Sequence, residues 1–425
     1  MGGTAARRHS FLRALAFFLG LGFGISTSGA DLVLQKVPPL TVAQAPNYPQ
    51  NLALLDLGAQ IESDVPDDAS SSVPFLSGDP ASVYGLRTGT TRLLISLAQI
   101  ENIGSVAFLN SEAKGTVTIA MSSAKLSPES PQWHDAGQEE LSSGSVSAKI
   151  GPAEAKYVRL TFNVRSPGRI GSLGIYSAAP VSDFTMPRAR KIAPASSADA
   201  MAKANYNLAD LHAKARTIFV SSGDDLKLAY NMIDGQPGTA YGFAANDAAP
   251  AAIFDLGHFV SVNRISTFST PSSAAVTFYL LGALPGNNTG NLESSLRIDP
   301  QTLAAFRTVG TGNDDGSGRV VVDFEETTGR YVMLVWTPST QIANFSVAEV
   351  AVFGPASNAR LLAVNTSGNS SDDKIVRDFK DTKDFSKEIP GEGPAEEQAP
   401  GEGPAPELPR PPPFVFIPRV VPTSP

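Results

Sequence analysis

A twelve-residue stretch of this chain occurs twice, and the repetition extends far beyond it. FLSGDPASVYGL, from Phe75 to Leu86, returns as MIDGQPGTAYGF, from Met232 to Phe243, so that Gly78, Pro80, Tyr84 and Gly85 are matched by Gly235, Pro237, Tyr241 and Gly242. Upstream, NLALLDLGA from Asn51 answers NLADLHAKA from Asn207. Downstream, LLISLAQIENIGSVAFLN from Leu93 answers AIFDLGHFVSVNRISTFS from Ala252, AKYVRLTF answers GRYVMLVW, and GSLGIYS answers AEVAVFG. Two copies of well over a hundred residues each are two globular domains of one kind, whereas a solenoid repeats every 20 to 50 residues.

The 425 residues leave room for about two or three domains, and the repeat fills two. Residues 1–30 read as an export signal: Arg7, Arg8 and Arg13 precede the apolar run Ala14 to Ile25, and Ser28-Gly29-Ala30 offers a small-residue cleavage site. Arg7-Arg8 suits twin-arginine export, but Ser10 stands where that signal wants an apolar residue, which favours general secretion and leaves the route open. The expected location is secreted, periplasmic or at the cell surface, with no transmembrane segment. The formal charge of −8 argues against a nucleic-acid partner, because phosphate binding needs clustered Lys and Arg. Cysteine is absent, so the domains hold together by core burial and not by disulfides.

Residues 31 to 46 form a lead-in to the first copy (47–178). Short runs such as RLLISLAQI, GTVTIAMSS and KYVRLTFNV, separated by Gly, Pro and Ser, predict an all-β jelly roll or sandwich. Residues 179–204 read as a linker, and the second copy (205–354) carries the insertion LPGNNTGNLESSLRIDP, expected on a surface loop. From 355 to 425 the composition predicts a disordered tail: residues 390–425 contain 12 prolines, too little apolar surface to offset chain ordering. SDDKIVRDFKDTKDFSKE could form a short amphipathic helix in it, and the apolar end PFVFIPRVV could dock on a protein partner.

The order of motifs resembles the discoidin, or factor V/VIII type C, family of galactose-binding-like domains. Copy two carries the signature in Asn207-Leu208-Ala209, Asp234-Gly235 with Thr239 and Tyr241, Asp255-Leu256-Gly257, Arg330-Tyr331-Val332, and Glu349 to Gly354. Copy one keeps the scaffold but has Ser77 for Asp234, Leu97-Ala98 in the strand ending and Ser172 opposite Glu349. The resemblance implies two tandem jelly-roll β-sandwiches, the first divergent, and a Ca²⁺ site in copy two at Asp234, Thr239 and Glu349. Clustered carboxylate, hydroxyl and carbonyl oxygens suit that ion. The same Asp-Gly-x-Pro turn can instead cap itself through side-chain to backbone hydrogen bonds.

Tyr84 and Tyr241 stand where the family has Trp. A repeated aromatic is more often core than sugar platform, yet the loop from Asp234 to Asp247 brings Tyr241, Phe243 and Asn246 together as the candidate ligand-binding residues. Trp133 and Phe306, which align, read as packing. No nucleophile turn, H-E-x-x-H pair or phosphate loop is present. His134, His212 and His258 have no sequence partners that make a relay, and GTGNDDGSG lacks the alternating acids of an EF-hand. The expected function is therefore non-catalytic binding or adhesion, directed at a glycan or surface polysaccharide through copy two. The alternative is a structural or assembly subunit of an envelope or extracellular complex.

Overall fold

The computed structural model describes residues 31–64, 73–178, 207–270, 273–285, 294–314, 316–339 and 345–355. The expected export signal, the 179–204 linker and the tail beyond Pro355, with its charged and apolar segments, lie outside the described residues. Among those described, no helix is long and apolar enough to cross a membrane.

The first copy is an antiparallel sheet of β2 (Gln60–Ser63), β3 (Val83–Leu86), β4 (Gly89–Ser111), β5 (Lys114–Ser122), β6 (His134–Glu140), β7 (Gly144–Ser166) and β8 (Gly168–Ser177). The strand order is β3-β8-β4-β7-β5-β6, with β2 also on β4. Leu93, Ile95 and Leu97 are buried while Leu94 and Ser96 between them are not, the period-two pattern of a strand with one face in the core. The β4–β7 ladder breaks between Ser96 and Glu101, and the two legs of each long strand fold over one another. Phe108 from the second leg of β4 meets Phe162 from the second leg of β7 edge-on at 5.7 Å in the core between them.

The second copy repeats this plan with β9 (Arg216–Val220), β10 (Tyr241–Gly242), β11 (Ala251–Thr270), β12 (Ala274–Leu281), β13 (Ser295–Ile298), the helix α1 (Pro300–Ala305), β14 (Thr308–Asn313), β15 (Arg319–Pro338) and β16 (Ser346–Phe353). The equivalence reaches single hydrogen bonds. Asn51 Oδ1 accepts from Ala53 N–H and Ile175 N–H, as Asn207 Oδ1 accepts from Ala209 N–H and Val352 N–H. Tyr84 pairs with Ile170 as Tyr241 pairs with Val347.

The polar signature of copy two explains its corner. Where β11 turns from one layer to the other, Gly257 has φ +84°, open to glycine, and Asp255 caps the turn by accepting from Gly257 N–H at 2.8 Å. Arg330 then clamps the Asp255 carboxylate with Nε at 2.9 Å and Nη2 at 2.8 Å. The Asp-Leu-Gly and Arg-Tyr-Val motifs are thus two halves of one ion pair.

Two segments depart from the expected placement. The lead-in strand β1 (Leu32–Lys36) joins the sheet of copy two, inserted antiparallel between β9 and β13. The inserted segment is more than a loop: β13 pairs with β1, and α1 follows under an Asp299 cap. Ile298 of the insertion is buried, and Leu303 and Phe306 just after it pack against the cluster of Leu34, Phe219, Ile253 and Met333, so the insertion and the residues that follow it add to the apolar packing on this layer.

Both copies belong to one compact unit and pack on each other. Asp79 of copy one accepts from Arg264 Nε at 3.0 Å and from Ser266 Oγ at 2.7 Å of copy two. Arg319 of copy two donates to the Pro80 carbonyl and to Ser111 Oγ.

Candidate functional site

The Asp-Gly loop of copy two begins where a 3₁₀ turn, Leu226–Ile233, ends on Asp234, and Gly235 follows at φ +68°. Asp234 is 1% exposed. Its carboxyl receives Gln236 N–H at 2.9 Å and Gln236 Nε2 at 2.9 Å, and Thr239 Oγ1 lies 2.9–3.0 Å from both of its oxygens. The same hydroxyl lies 3.0 Å from the Gln236 carbonyl. Burial pushes the Asp234 carboxyl up to about 8, against the lowering influence of its Gln236 and Thr239 hydrogen bonds. The loop closes on itself, and copy one does the same with less: Asp79 N–H donates to Ser77 Oγ, and Ser77 donates to the Pro74 carbonyl.

This arrangement does not fit a cation held by Asp234 and Thr239, because their oxygens are already engaged with each other and with Gln236. Among the described residues, no three Asp, Glu, His or Cys side chains converge as a metal group. Glu349, the third residue of the expected set, is placed differently. It is 5% exposed and accepts from Gly235 N–H, but its Oε1 has no hydrogen-bond partner among the described residues. Burial first, then Asp234 and Asp210, raise its carboxyl well above the usual range.

Glu349 faces a cavity of about 30 Å³ between the two copies, lined also by Gln50, Ser172, Asp210, His212 and Asp234. Tyr176 of copy one crosses beside it and donates its hydroxyl to the Gly235 carbonyl at 2.6 Å. Gly174 permits this crossing, since a Cβ there would stand 2.0 Å from the Tyr176 hydroxyl. Sequence reasoning missed Gln50, Ser172 and Tyr176; the one signal for them was that Ser172 and Glu349 occupy matched positions.

Tyr241 and Phe243 lie in the core, 1% and 5% exposed. The Tyr241 ring meets Phe243 edge-on at 5.0 Å, and Phe243 contacts Trp336 and Phe345 at 5.8 and 6.0 Å, so neither ring face is open to a sugar. Trp336 on β15 and Phe345 just before β16 claim these rings, and their part is to support the loop above. Tyr241 donates its hydroxyl to the Ser222 carbonyl at 2.6 Å across Gly223, which at φ +147° leaves space for it. Asn246 is exposed on that loop. Its neighbour Asp247 receives the Ser221 and Ser222 hydroxyls at 2.5 Å each and Ala249 N–H at 3.1 Å, while Ala244 N–H donates to Ser222 Oγ and Phe243 N–H to the Phe345 carbonyl.

No family model matches the chain, and no curated protein does. Solved structures similar to it include lectins, carbohydrate-binding modules and GH29 fucosidases. A serum fucolectin from striped bass, Morone saxatilis, is 15% identical with a TM-score of 0.26, covering 72% of this chain and 98% of its own. The chitosan-binding module 1 of a chitosanase/glucanase from Paenibacillus is 21% identical with a TM-score of 0.27, covering 35% and 99%. A CBM32 module produced by Clostridium perfringens is 16% identical with a TM-score of 0.26, covering 30% and 100%.

Proposed function

We propose that the protein is an exported, non-catalytic binding or adhesion protein that recognises a glycan or surface polysaccharide through the loop end of its second sandwich. The observation that carries this reading is the loop Phe243–Pro250. Its backbone is tied to Ser222 and Phe345 through Ala244 N–H and Phe243 N–H, its Asp247 carboxylate accepts from the Ser221 and Ser222 hydroxyls, and it presents the exposed amide of Asn246 beside that carboxylate. Sugar hydroxyls are recognised by planar donors and acceptors held in place before the ligand arrives, which keeps the ordering cost of binding small. Tyr241 and Phe243 act beneath the loop as its support.

A glycan array probed with the full chain tests the reading. Binding to a defined glycan class that Asn246→Ala abolishes, with the melting temperature unchanged, supports it. An array without binding, or binding that survives Asn246→Ala, refutes it.

The alternative, a structural or assembly subunit, is favoured by the chain's crossing: β1 precedes copy one in sequence yet completes the sheet of copy two. A silent array together with co-purification of a fixed partner would select this second reading.

A further inference from the structure

We infer that the strand exchange made by β1 is reciprocal: residues 187–194, ahead of copy two, add antiparallel to the far edge of β2 in copy one, as β1, ahead of copy one, adds to β9 in copy two. The two edges are equivalent. Leu94 and Ile253 occupy matched positions, and Glu62 of β2 faces Leu94 as Phe219 of β9 faces Ile253. The far edge of β9 takes Gln35 and Lys36 opposite Val220 and Phe219, and Val37 N–H donates to the Ile218 carbonyl at 2.9 Å. Among the described residues, no strand pairs with the far edge of β2. A sheet edge presents N–H and C=O groups that an extended segment satisfies by pairing with it.

Symmetry names the segment. The copies meet through matched residues, Asn51 with Asn207 and Gly78 with Gly235, and in a self-complementary interface each contact made from one side is repeated from the other. The chain before Asn51 crosses to copy two: Leu34 packs with Phe219, Val37, Ala45 and Tyr48 enter the core of copy two, and the Asn47 carbonyl accepts from Gln236 Nε2 at 3.1 Å. Its mirror is the chain before Asn207, crossing to copy one. The sequence repeats accordingly: Gln35-Lys36-Val37-Pro38-Pro39 is answered by Arg190-Lys191-Ile192-Ala193-Pro194, and Asn47-Tyr48 by Asn205-Tyr206. From Lys36 to Asn51 and from Lys191 to Asn207 the chain lengths differ by one residue. The reach suffices as well. Ala178 leaves copy one beside Asn102, at the corner of β4 where β2 begins opposite Ser96, and residues 179–187 extend to about 30 Å, longer than β2.

Charge adds an independent sign. β9 offers its partner the buried ring of Phe219, and β1 answers with the apolar Leu34. In the place of Phe219, β2 has Glu62, followed closely by Asp64, and the segment that mirrors β1 carries Arg188, Arg190 and Lys191. The Glu62 side chain is 55% exposed although Lys125 reaches it at 2.7 Å, so a second cation has room beside it. Opposite charges on neighbouring strands attract, and each edge is thus matched to its own segment, apolar to apolar and acidic to basic.

Amide hydrogen exchange of the full chain, read by mass spectrometry, tests the pairing. Residues 188–192 should exchange at least about tenfold more slowly than a free chain, and so should whichever amide of Ile61 and Glu62 points away from β4. Trypsin should cut after Arg188, Arg190 and Lys191 more slowly than after the lysines of the 355–425 tail. Successive N–H groups of a strand point to opposite edges, so one of Arg190→Pro and Lys191→Pro removes a bond to β2 and the other does not. One of the two variants should therefore speed exchange in β2 by about tenfold while β9 keeps its protection. Free-chain exchange in residues 188–192 of the unmodified protein would overturn the inference. Protection of β2 that survives both variants would assign its edge to another occupant and overturn it as well.

Discussion

Replacing Asp79 by alanine should loosen the joint between the two copies far more than replacing Asp323, although both acids pair with Arg264. Asp79 is buried and accepts from Arg264 Nε at 3.0 Å, Ser266 Oγ at 2.7 Å and Ala81 N–H at 2.9 Å. Asp323 is 66% exposed and holds only the outer nitrogen of the same guanidinium. Removing the Asp79 carboxylate deletes a charge-assisted bond worth about 1.5–3 kcal/mol and strands the fully buried Ser266 hydroxyl at about 1–3 kcal/mol. The expected loss is about 3–5 kcal/mol, the range for breaking one side of a buried pair. Asp323→Ala should cost under about 1 kcal/mol, since an exposed partner is screened by water. Urea unfolding of the full chain measures both, and a double-mutant cycle with Arg264→Ala isolates the coupling across the joint. Near-equal costs for the two acids, or a loss below about 1 kcal/mol for Asp79→Ala, would show that the joint does not rest on this ion pair.

Asp234 makes stability depend on pH in the direction opposite to a salt-bridged acid. Its folded carboxyl lies at about 8 against an ordinary aspartate value of 3.8, so its contribution is fully present below about pH 4 and is lost as pH rises through 8. In chelator, Asp234→Asn should flatten that fall and stabilise the protein near neutral pH by a few kcal/mol, at about 1.4 kcal/mol per pH unit; parallel stability–pH curves for the two proteins would rule it out. Leu34→Ala should cost about 2–5 kcal/mol, because the fully buried side chain packs with Phe219, Ile253 and Met333. Its effect should appear as faster amide exchange in β9 and β13 of the second copy, and exchange accelerated in the first copy instead would contradict the crossing of β1.

The repeat and the period-two alternation made the all-β plan legible in the sequence, because burial on one face of a strand imprints directly on residue order. Asp255 and Arg330 were visible as motifs but not as a pair, since 75 residues separate them and only the β11 corner brings them together. Tyr241 illustrates a different limit. The sequence gives an aromatic beside a turn, which suits both a stacking platform and a core residue, and the choice depends on Trp336 and Phe345 arriving from later strands. The place of β1 was not legible at all: LVLQK reads as a strand, but nothing local says which of two similar sheets it will complete.

The divergence of copy one acquires a physical reason once the copies are seen to meet through equivalent surfaces. Asn51 and Asn207 both line the cavity, as do Leu54 and Asp210, Gly78 and Gly235, and Ser172 and Glu349. Had copy one kept the acids of copy two, Asp at positions 54 and 77 and Glu at 172 would crowd a second set of carboxyls against Asp210, Asp234 and Glu349. Like charges within a few ångströms in a buried space each disfavour the other's ionisation, and Glu349 already shows the effect of two acidic neighbours. Leucine and serine at those places supply neutral surface and a hydroxyl, which is what an acidic face needs opposite it. The one acid that copy one adds at the joint, Asp79, corresponds to Gln236 in copy two and points instead at Arg264. Loss of these acids in copy one is therefore the complement of their retention in copy two, and the two sequences are constrained as partners across one interface.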